Sequence, residues 1–249
     1  MNVALEIPVV RVIDDILPAA DFAAVASLAA KLDYGSTVYG TSIWRQEIIE
    51  NPLGSGLSVS WYDQRDHKTD DMAIAGPDGL GRRYPTGTWL DPALEMIRNC
   101  AAKSPNLIGK YPSDWWGLTC RLYAYGAGTR ADWHTDAAGY TGAFVYYVHP
   151  LWNRSWGGDL LVRVDDMSLA ADCGIFVTPR PNRLVLLKAG TEHAVSRLSS
   201  AIGSGFRRSM SGFFVTRARL EELKAESERR STESQWIAQG VTADRKADL

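Results

Sequence analysis

Cysteine is scarce in this chain of 249 residues: Cys100, Cys120 and Cys173 are odd in number, widely spaced and form no Cys-x-x-Cys pair. That argues against a disulfide framework and for reduced thiols in a cytoplasmic protein. An excess of one charge is missing as well. Lys and Arg number 27 against 29 Asp and Glu, the net charge is −2, and no basic block stands out, so a nucleic-acid partner is not expected. No uninterrupted apolar run approaches the roughly 18 residues that cross a bilayer, so no membrane partner is expected. The segment Met1–Pro8 has no basic region followed by a long apolar stretch, and no signal peptide is read there. Internal repeats and low-complexity segments are absent too. What remains is a chain with 45% hydrophobic residues, enough for one sizeable core.

Short apolar and β-branched runs recur along it. Val9–Ile13 reads as a strand, and Ala19–Leu32 as an amphipathic helix with Phe22, Val25, Leu28 and Ala29 at helical spacing. A second strand is expected at Leu57–Tyr62. Asp63–Gly87 is polar and rich in Gly and Pro, either a surface loop or a lid over a site. Asp91-Pro92 has the pattern of an N-cap followed by proline, opening a helix that ends near Ser104-Pro105. In Trp116–Tyr125, apolar Leu118, Cys120, Leu122 and Ala124 alternate with Thr119, Arg121, Tyr123 and Tyr125, which gives a strand one apolar and one polar-aromatic face. Further strands are expected at Gly142–Val148, after Gly157-Gly158 as far as Val164, at Arg183–Leu187 and at Phe206–Val215. Many strands and few helices predict a mainly β fold, an antiparallel sandwich or barrel of jelly-roll type with flanking helices. Residues 1–216 are expected to form one domain. From Arg217 the composition turns to charge, and residues 217–249 are read as a solvated helix with a frayed tail, on which Trp236 and Ile237 are the large apolar residues.

Histidine is nearly as scarce as cysteine, with His67, His134, His149 and His193 the only four. In Tyr125–Asp136, His134 and Asp136 stand two positions apart, so on an extended strand both side chains leave the same face and can grip one ion. His193 lies in a turn between two apolar runs and is the expected third ligand. Two histidines and a carboxylate on a β scaffold, with open positions, suit Fe(II). His149 follows His134 by only fifteen residues and is read as a surface histidine in a turn.

The ordered set of motifs resembles the Fe(II)- and 2-oxoglutarate-dependent oxygenases, in particular the prolyl-4-hydroxylase-like branch. Tyr125-x-x-Gly128 leading to His134-x-Asp136 is similar to that branch's first metal motif. Tyr146-Tyr147-Val148-His149-Pro150-Leu151-Trp152 with Gly157-Gly158-Asp159-Leu160 resembles its Tyr-Leu-Asn-x-x-Trp and Gly-Gly-Glu-Leu signature, with His149 in place of Asn and Asp159 in place of Glu. Pro179-x-x-Asn182-Arg183 followed by His193-Ala194-Val195 is similar to the distal-histidine motif, and Gly205-x-Arg207-x-Ser209 to the co-substrate strand. The likeness covers roughly Val9 to Thr216 and is strongest from Tyr123 onward. It implies a double-stranded β-helix core and Fe(II) on His134, Asp136 and His193. It also implies 2-oxoglutarate and O2 as co-substrates. A rigid guanidinium fork suits the far carboxylate of 2-oxoglutarate, and Arg207 with Ser209 is favoured over Arg208 for that role. Tyr125 and one of Tyr146 and Tyr147, taken as Tyr147, are expected to offer hydroxyls to the same molecule. An intact Asp136 implies hydroxylation of an unactivated C–H bond with release of succinate and CO2, since halogenating relatives replace the carboxylate by a small residue. The expected substrate is a small molecule such as an amino acid or natural-product intermediate. A peptidyl hydroxylase is the second reading, and a non-catalytic metal- or partner-binding β-helix the third. Trp115, Trp116, Trp133, Trp152 and Trp156 crowd the motif region and either line a pocket or build core. Arg121, Arg130, Arg154 and Arg163 are candidate substrate anchors.

Overall fold

A computed structural model describes residues 1–31, 58–62, 89–115, 117–136, 138–164, 173–219 and 221–222. The polar segment 63–87, His67, Trp116, Trp236 and Ile237 lie outside the described residues. Among the described residues no helix is long and apolar enough to cross a membrane.

Among the described residues, eleven strands and three α-helices carry the fold. The chain opens with strands β1 (Asn2–Ile7) and β2 (Val10–Asp14) and helix α1 (Ala19–Lys31), followed by β3 (Ser58–Tyr62). Helices α2 (Asp91–Ala102) and α3 (Pro105–Ile108) come next, then β4 (Gly117–Tyr125), β5 (Ala131–His134), β6 (Tyr140–Tyr147), β7 (Leu160–Arg163) and β8 (Gly174–Val177). The last strands are β9 (Leu184–Lys188), β10 (His193–Val195) and β11 (Arg207–Val215). Seven strands form one sheet in the order β1-β2-β9-β6-β11-β4-β3, and four form the other in the order β5-β10-β7-β8. Every strand pairing is antiparallel, which makes the core a jelly roll.

Alternation decides which side chains meet. On β4, Leu118, Cys120, Leu122 and Ala124 are all buried, and the first three pack with Phe144, Met210, Phe214 and the apolar faces of α1 and α2. The opposite face of the large sheet looks into the roll, where Ala143 and Tyr147 of β6 meet Leu160 and Val162 of β7. Strand β9 serves both layers: Leu184 and Leu186 pack towards the helices, Val185 and Leu187 into the roll, and all four are 1% exposed or less. Each such residue contributes roughly 2 kcal/mol of burial, which is why this run reads as continuously apolar.

Three local features differ from the sequence expectation. The strand β1 was not anticipated, yet Val3, Leu5 and Ile7 alternate with polar or small neighbours, and Leu5 and Ile7 pack on the interior of the roll. Leu90, not Asp91, occupies the N-cap of α2; Asp91 and Pro92 are its first two residues, and Asp91 there places a negative charge in the first turn. The short edge strand β8 also escaped notice, because Gly174-Ile175-Phe176-Val177 carries only a brief apolar signal.

The Asn182-Arg183 pair has a structural task. Arg183 grips Asp14 with Nε at 2.6 Å and a terminal nitrogen at 2.9 Å. Asn182, held at φ 61°, donates to the Leu17 carbonyl and accepts from the Leu17 amide and the Tyr146 hydroxyl. Together they lock the end of β2 onto the start of β9.

Candidate functional site

The two histidines arrive on adjacent strands of the small sheet. His134 ends β5 and His193 begins β10, the two are directly paired across the ladder, and their ring centroids lie 4.4 Å apart. Asp136 stands two residues beyond the end of β5 rather than on the strand, with a carboxylate oxygen 3.9 Å from His193 Nε2. One ligand atom from each of His134, Asp136 and His193 falls within 4.8 Å of the others.

Backbone carbonyls orient both rings. His134 Nδ1 lies 2.7 Å from the Asp132 carbonyl and His193 Nδ1 2.9 Å from the Thr191 carbonyl, so each ring donates Nδ1–H and has Nε2 as its possible metal-ligating nitrogen. Burial lowers the His193 pKa against the pull of Asp136, and burial raises that of the Asp136 carboxyl against the pull of both histidines. His193 is therefore neutral, and its contact with Asp136 is not an ion pair. A half-buried carboxylate beside two imidazoles is a donor set suited to a divalent metal.

The second cluster belongs to the large sheet. Arg207 opens β11 opposite Tyr125 of β4, and Ser209 lies opposite Tyr123 of β4 and Tyr147 of β6. This register puts Arg207, Ser209, Tyr125 and Tyr147 on the interior face. Arg207 is 2% exposed; its Nε donates to the Gly158 carbonyl at 2.9 Å and a terminal nitrogen to the Tyr147 hydroxyl at 3.3 Å. Its guanidinium lies 4.9 Å from the Tyr147 ring centroid and 5.7 Å from that of Tyr125. Among the described residues no carboxylate forms an ion pair with it, and a buried guanidinium fork in that state fits the distal carboxylate of 2-oxoglutarate. Burial raises the Tyr147 pKa, so its phenol keeps its proton. Arg208 faces the other way, with its guanidinium over the Phe206 ring at 5.2 Å. Tyr146 also points away, its hydroxyl bonded to Asn182. The register thus separates the members of both pairs that the sequence left open.

Gly157 and Gly158 let the two sheets meet here. Both have positive φ, and a Cβ on Gly158 would come within 3.0 Å of Arg207 Cδ. The Gly-Gly pair was the visible signal for this close approach.

Two expectations fail. His149 is not a surface residue: it is 1% exposed, with Nε2 2.6 Å from the Pro179 carbonyl and Nδ1 3.1 Å from the Arg208 carbonyl, and it stands apart from the metal-ligand cluster. Both carbonyls belong to segments remote in sequence, so nothing local announced its burial. Trp133, next to His134 on an alternating strand, turns away from the site; it is 47% exposed with Arg163 5.8 Å from its ring. Of the other tryptophans, Trp115 packs in the helix-side core, while Trp152 and Trp156 pack around Tyr125 and Leu198 near Arg207. Arg163 is paired with Glu192 and Arg130 with Asp132, which makes them weaker substrate anchors; Arg154 sits in an exposed turn.

The chain matches, over residues 120–215, the family described as the 2OG-Fe(II) oxygenase superfamily. It is a 2-oxoglutarate-dependent dioxygenase, with Fe(II), 2-oxoglutarate and O2 as the cofactor and co-substrates of the family. Its fold is that of the prolyl-4-hydroxylase-like branch. The chain is similar to a Pseudomonas putida prolyl-4-hydroxylase at 16% identity, covering 84% of this chain and 92% of that one with a TM-score of 0.50. A Trichoplax adhaerens prolyl hydroxylase, solved with a hypoxia inducible factor oxygen degradation domain peptide fragment, shares 15% identity over 88% of this chain and 87% of its own, also at 0.50. A Burkholderia pseudomallei oxidoreductase of the 2OG-Fe(II) oxygenase family gives 12% identity, 83% and 84% coverage, and the same TM-score. Comparison with curated proteins yields no match.

Proposed function

We propose that this dioxygenase hydroxylates an unactivated C–H bond of a small molecule, an amino acid or natural-product intermediate, within a single domain of residues 1–216. His134, Asp136 and His193 hold Fe(II) through the two Nε2 atoms and a carboxylate oxygen. Arg207, Ser209, Tyr147 and Tyr125 hold 2-oxoglutarate. When bound, iron and 2-oxoglutarate supply an oxidative decarboxylation in which O2 delivers one oxygen atom to succinate and the other to the substrate C–H bond. The protein's own part is positional. Carbonyls at Asp132 and Thr191 orient both rings through Nδ1–H and leave Nε2 as the ligating nitrogen. The Arg207 fork fixes the depth of the co-substrate, and the protonated Tyr147 hydroxyl holds that fork from the side.

The observation that carries the reading is the juxtaposition of an intact carboxylate, Asp136, with the imidazoles of His134 and His193, one ligand atom of each lying within 4.8 Å of the others. It supports hydroxylation, because a carboxylate ligand leaves no protein-vacated position for a halide. Anaerobic titration with Fe(II) and 2-oxoglutarate tests it through the weak visible charge-transfer band of the chelate. Wild type should develop the band and His193→Ala should lose it; a His193→Ala variant with unchanged band and affinity refutes the ligand assignment. Succinate release is then measured against panels of amino acids and of peptides. Turnover driven by peptides alone replaces the small-molecule reading with a peptidyl hydroxylase.

A further inference from the structure

His149 is a buried titratable group that the metal and co-substrate clusters leave unused. Its ring lies 5.8 Å from that of Tyr147 on one side and 4.5 Å from that of Trp152 on the other. Tyr147 in turn lies 4.9 Å from the Arg207 guanidinium, which rests against Tyr125 on its far side. Trp152 packs against the same cluster as Tyr125.

We propose that His149 is a positioning residue for the co-substrate: pinned by its Nε2–H to the Pro179 carbonyl, it backs the Tyr147 ring and so fixes the direction of the Arg207 guanidinium. The inference rests on the reading of Arg207 as the anchor of 2-oxoglutarate. Strand β6 ends at Tyr147, and beyond it the chain is held to β11 by the Val148 amide on the Arg208 carbonyl. The His149 ring extends this contact sideways, lying between the Arg208 carbonyl and the Pro179 carbonyl. A neutral ring has one N–H, and the shorter contact, at 2.6 Å, identifies the Pro179 carbonyl as its acceptor. Neutrality also suits the place, because a cation behind Tyr147 would face the charges of Arg207 and Arg208. Asparagine, which the resembled motif carries at this position, lacks the reach and the ring to do both jobs.

The test compares His149→Gln, which keeps a donor at the position of Nε2, with His149→Leu and His149→Phe, which do not; Phe preserves a ring should Leu fail to fold. Calorimetric titration of the Mn(II)-loaded proteins with 2-oxoglutarate reads affinity without turnover, and titration with Mn(II) alone reads the metal site. The expected result is a loss of about tenfold in 2-oxoglutarate affinity for Leu and Phe, with Gln within about threefold of wild type and Mn(II) affinity unchanged throughout. Wild-type 2-oxoglutarate affinity in Leu and Phe overturns the proposal, as does an equal loss in all three variants accompanied by weaker Mn(II) binding. Arg207→Gln is measured beside them. If it binds 2-oxoglutarate as wild type does, the anchor reading itself falls and the inference with it; if it fails to bind while His149→Leu and His149→Phe bind normally, only the inference falls.

Discussion

Acidifying the metal-free protein from pH 7 to pH 4 should remove about 3 kcal/mol of folding stability through His149 alone. Burial lowers the pKa of this imidazole from 6.5 to about 4, assisted by Arg207 and Arg208, and outweighs the two carbonyls that favour the cation. In the unfolded chain the same ring titrates near 6.5. Between the two values the unfolded state takes up a proton that the folded state refuses, so stability falls as pH falls through this window and levels off below it. At about 1.4 kcal/mol per unit, the difference between 6.5 and about 4 gives the stated magnitude. The charged groups facing the ring are the two arginines of β11, and Tyr147 of β6 keeps its proton throughout. The assay is urea unfolding at pH 7, 6, 5 and 4 with a chelator present, for wild type and His149→Gln. Other groups, His193 and Asp136 among them, also titrate over this range, but their contribution is shared by both proteins, and the difference between them isolates His149. The expected difference shifts by about 3 kcal/mol in favour of the variant on going to pH 4. A difference that stays constant with pH refutes the reasoning.

Asp136→Asn should abolish tight Mn(II) binding, measured calorimetrically, because the anionic ligand is lost. Burial raises the Asp136 pKa, so its ionisation opposes folding as pH rises through that value; the same variant should therefore unfold at higher urea than metal-free wild type at pH 7. Arg207→Gln should weaken 2-oxoglutarate binding by roughly a hundredfold while leaving Mn(II) affinity intact. Arg183→Leu strips the buried Asp14 of its bidentate partner and should cost about 3 to 5 kcal/mol in urea unfolding, with unchanged co-substrate affinity in the remaining folded protein. Gly212→Ala should prevent stable folding, seen as loss of the unfolding transition, because the added Cβ would overlap the Thr119 carbonyl of the neighbouring strand.

What was legible in the sequence is what depends on short-range periodicity or on scarcity. The apolar face of β4 and the continuous run of β9 are visible because alternation and its absence report burial on one face or two. The metal-ligand set stood out because the chain has only four histidines and one lies two residues from an aspartate. Tertiary relations were not legible. Arg207 and Arg208 are equivalent in the sequence, and only the pairing of Arg207 with Tyr125 and Ser209 with Tyr147 sends one inward and the other out. The choice between Tyr146 and Tyr147 follows the same register, since a shift of one residue would exchange them. His149 was misread for a related reason: a histidine before proline looks like a turn residue, and its acceptors lie thirty and fifty-nine positions away.

The division of the two clusters between two sheets has a mechanical consequence. The metal ligands are built on β5 and β10 of the small sheet, and the co-substrate's anchor on β11 of the large one. A molecule that chelates the metal at one end and meets Arg207 at the other therefore measures the spacing between the sheets. A direct link across that gap is the hydrogen bond from Arg207 Nε to the carbonyl of Gly158, at the turn that leads into β7. Strand β7 is in turn paired with β10 through Val162 and His193. A displacement of the Gly158 turn would thus move the anchor and a metal ligand together, and the glycine there allows the two sheets their close approach. A β-carbon at residue 158 would push on Arg207 Cδ and on Leu198, so Gly158→Ala acts on the spacing while replacing no ligand residue.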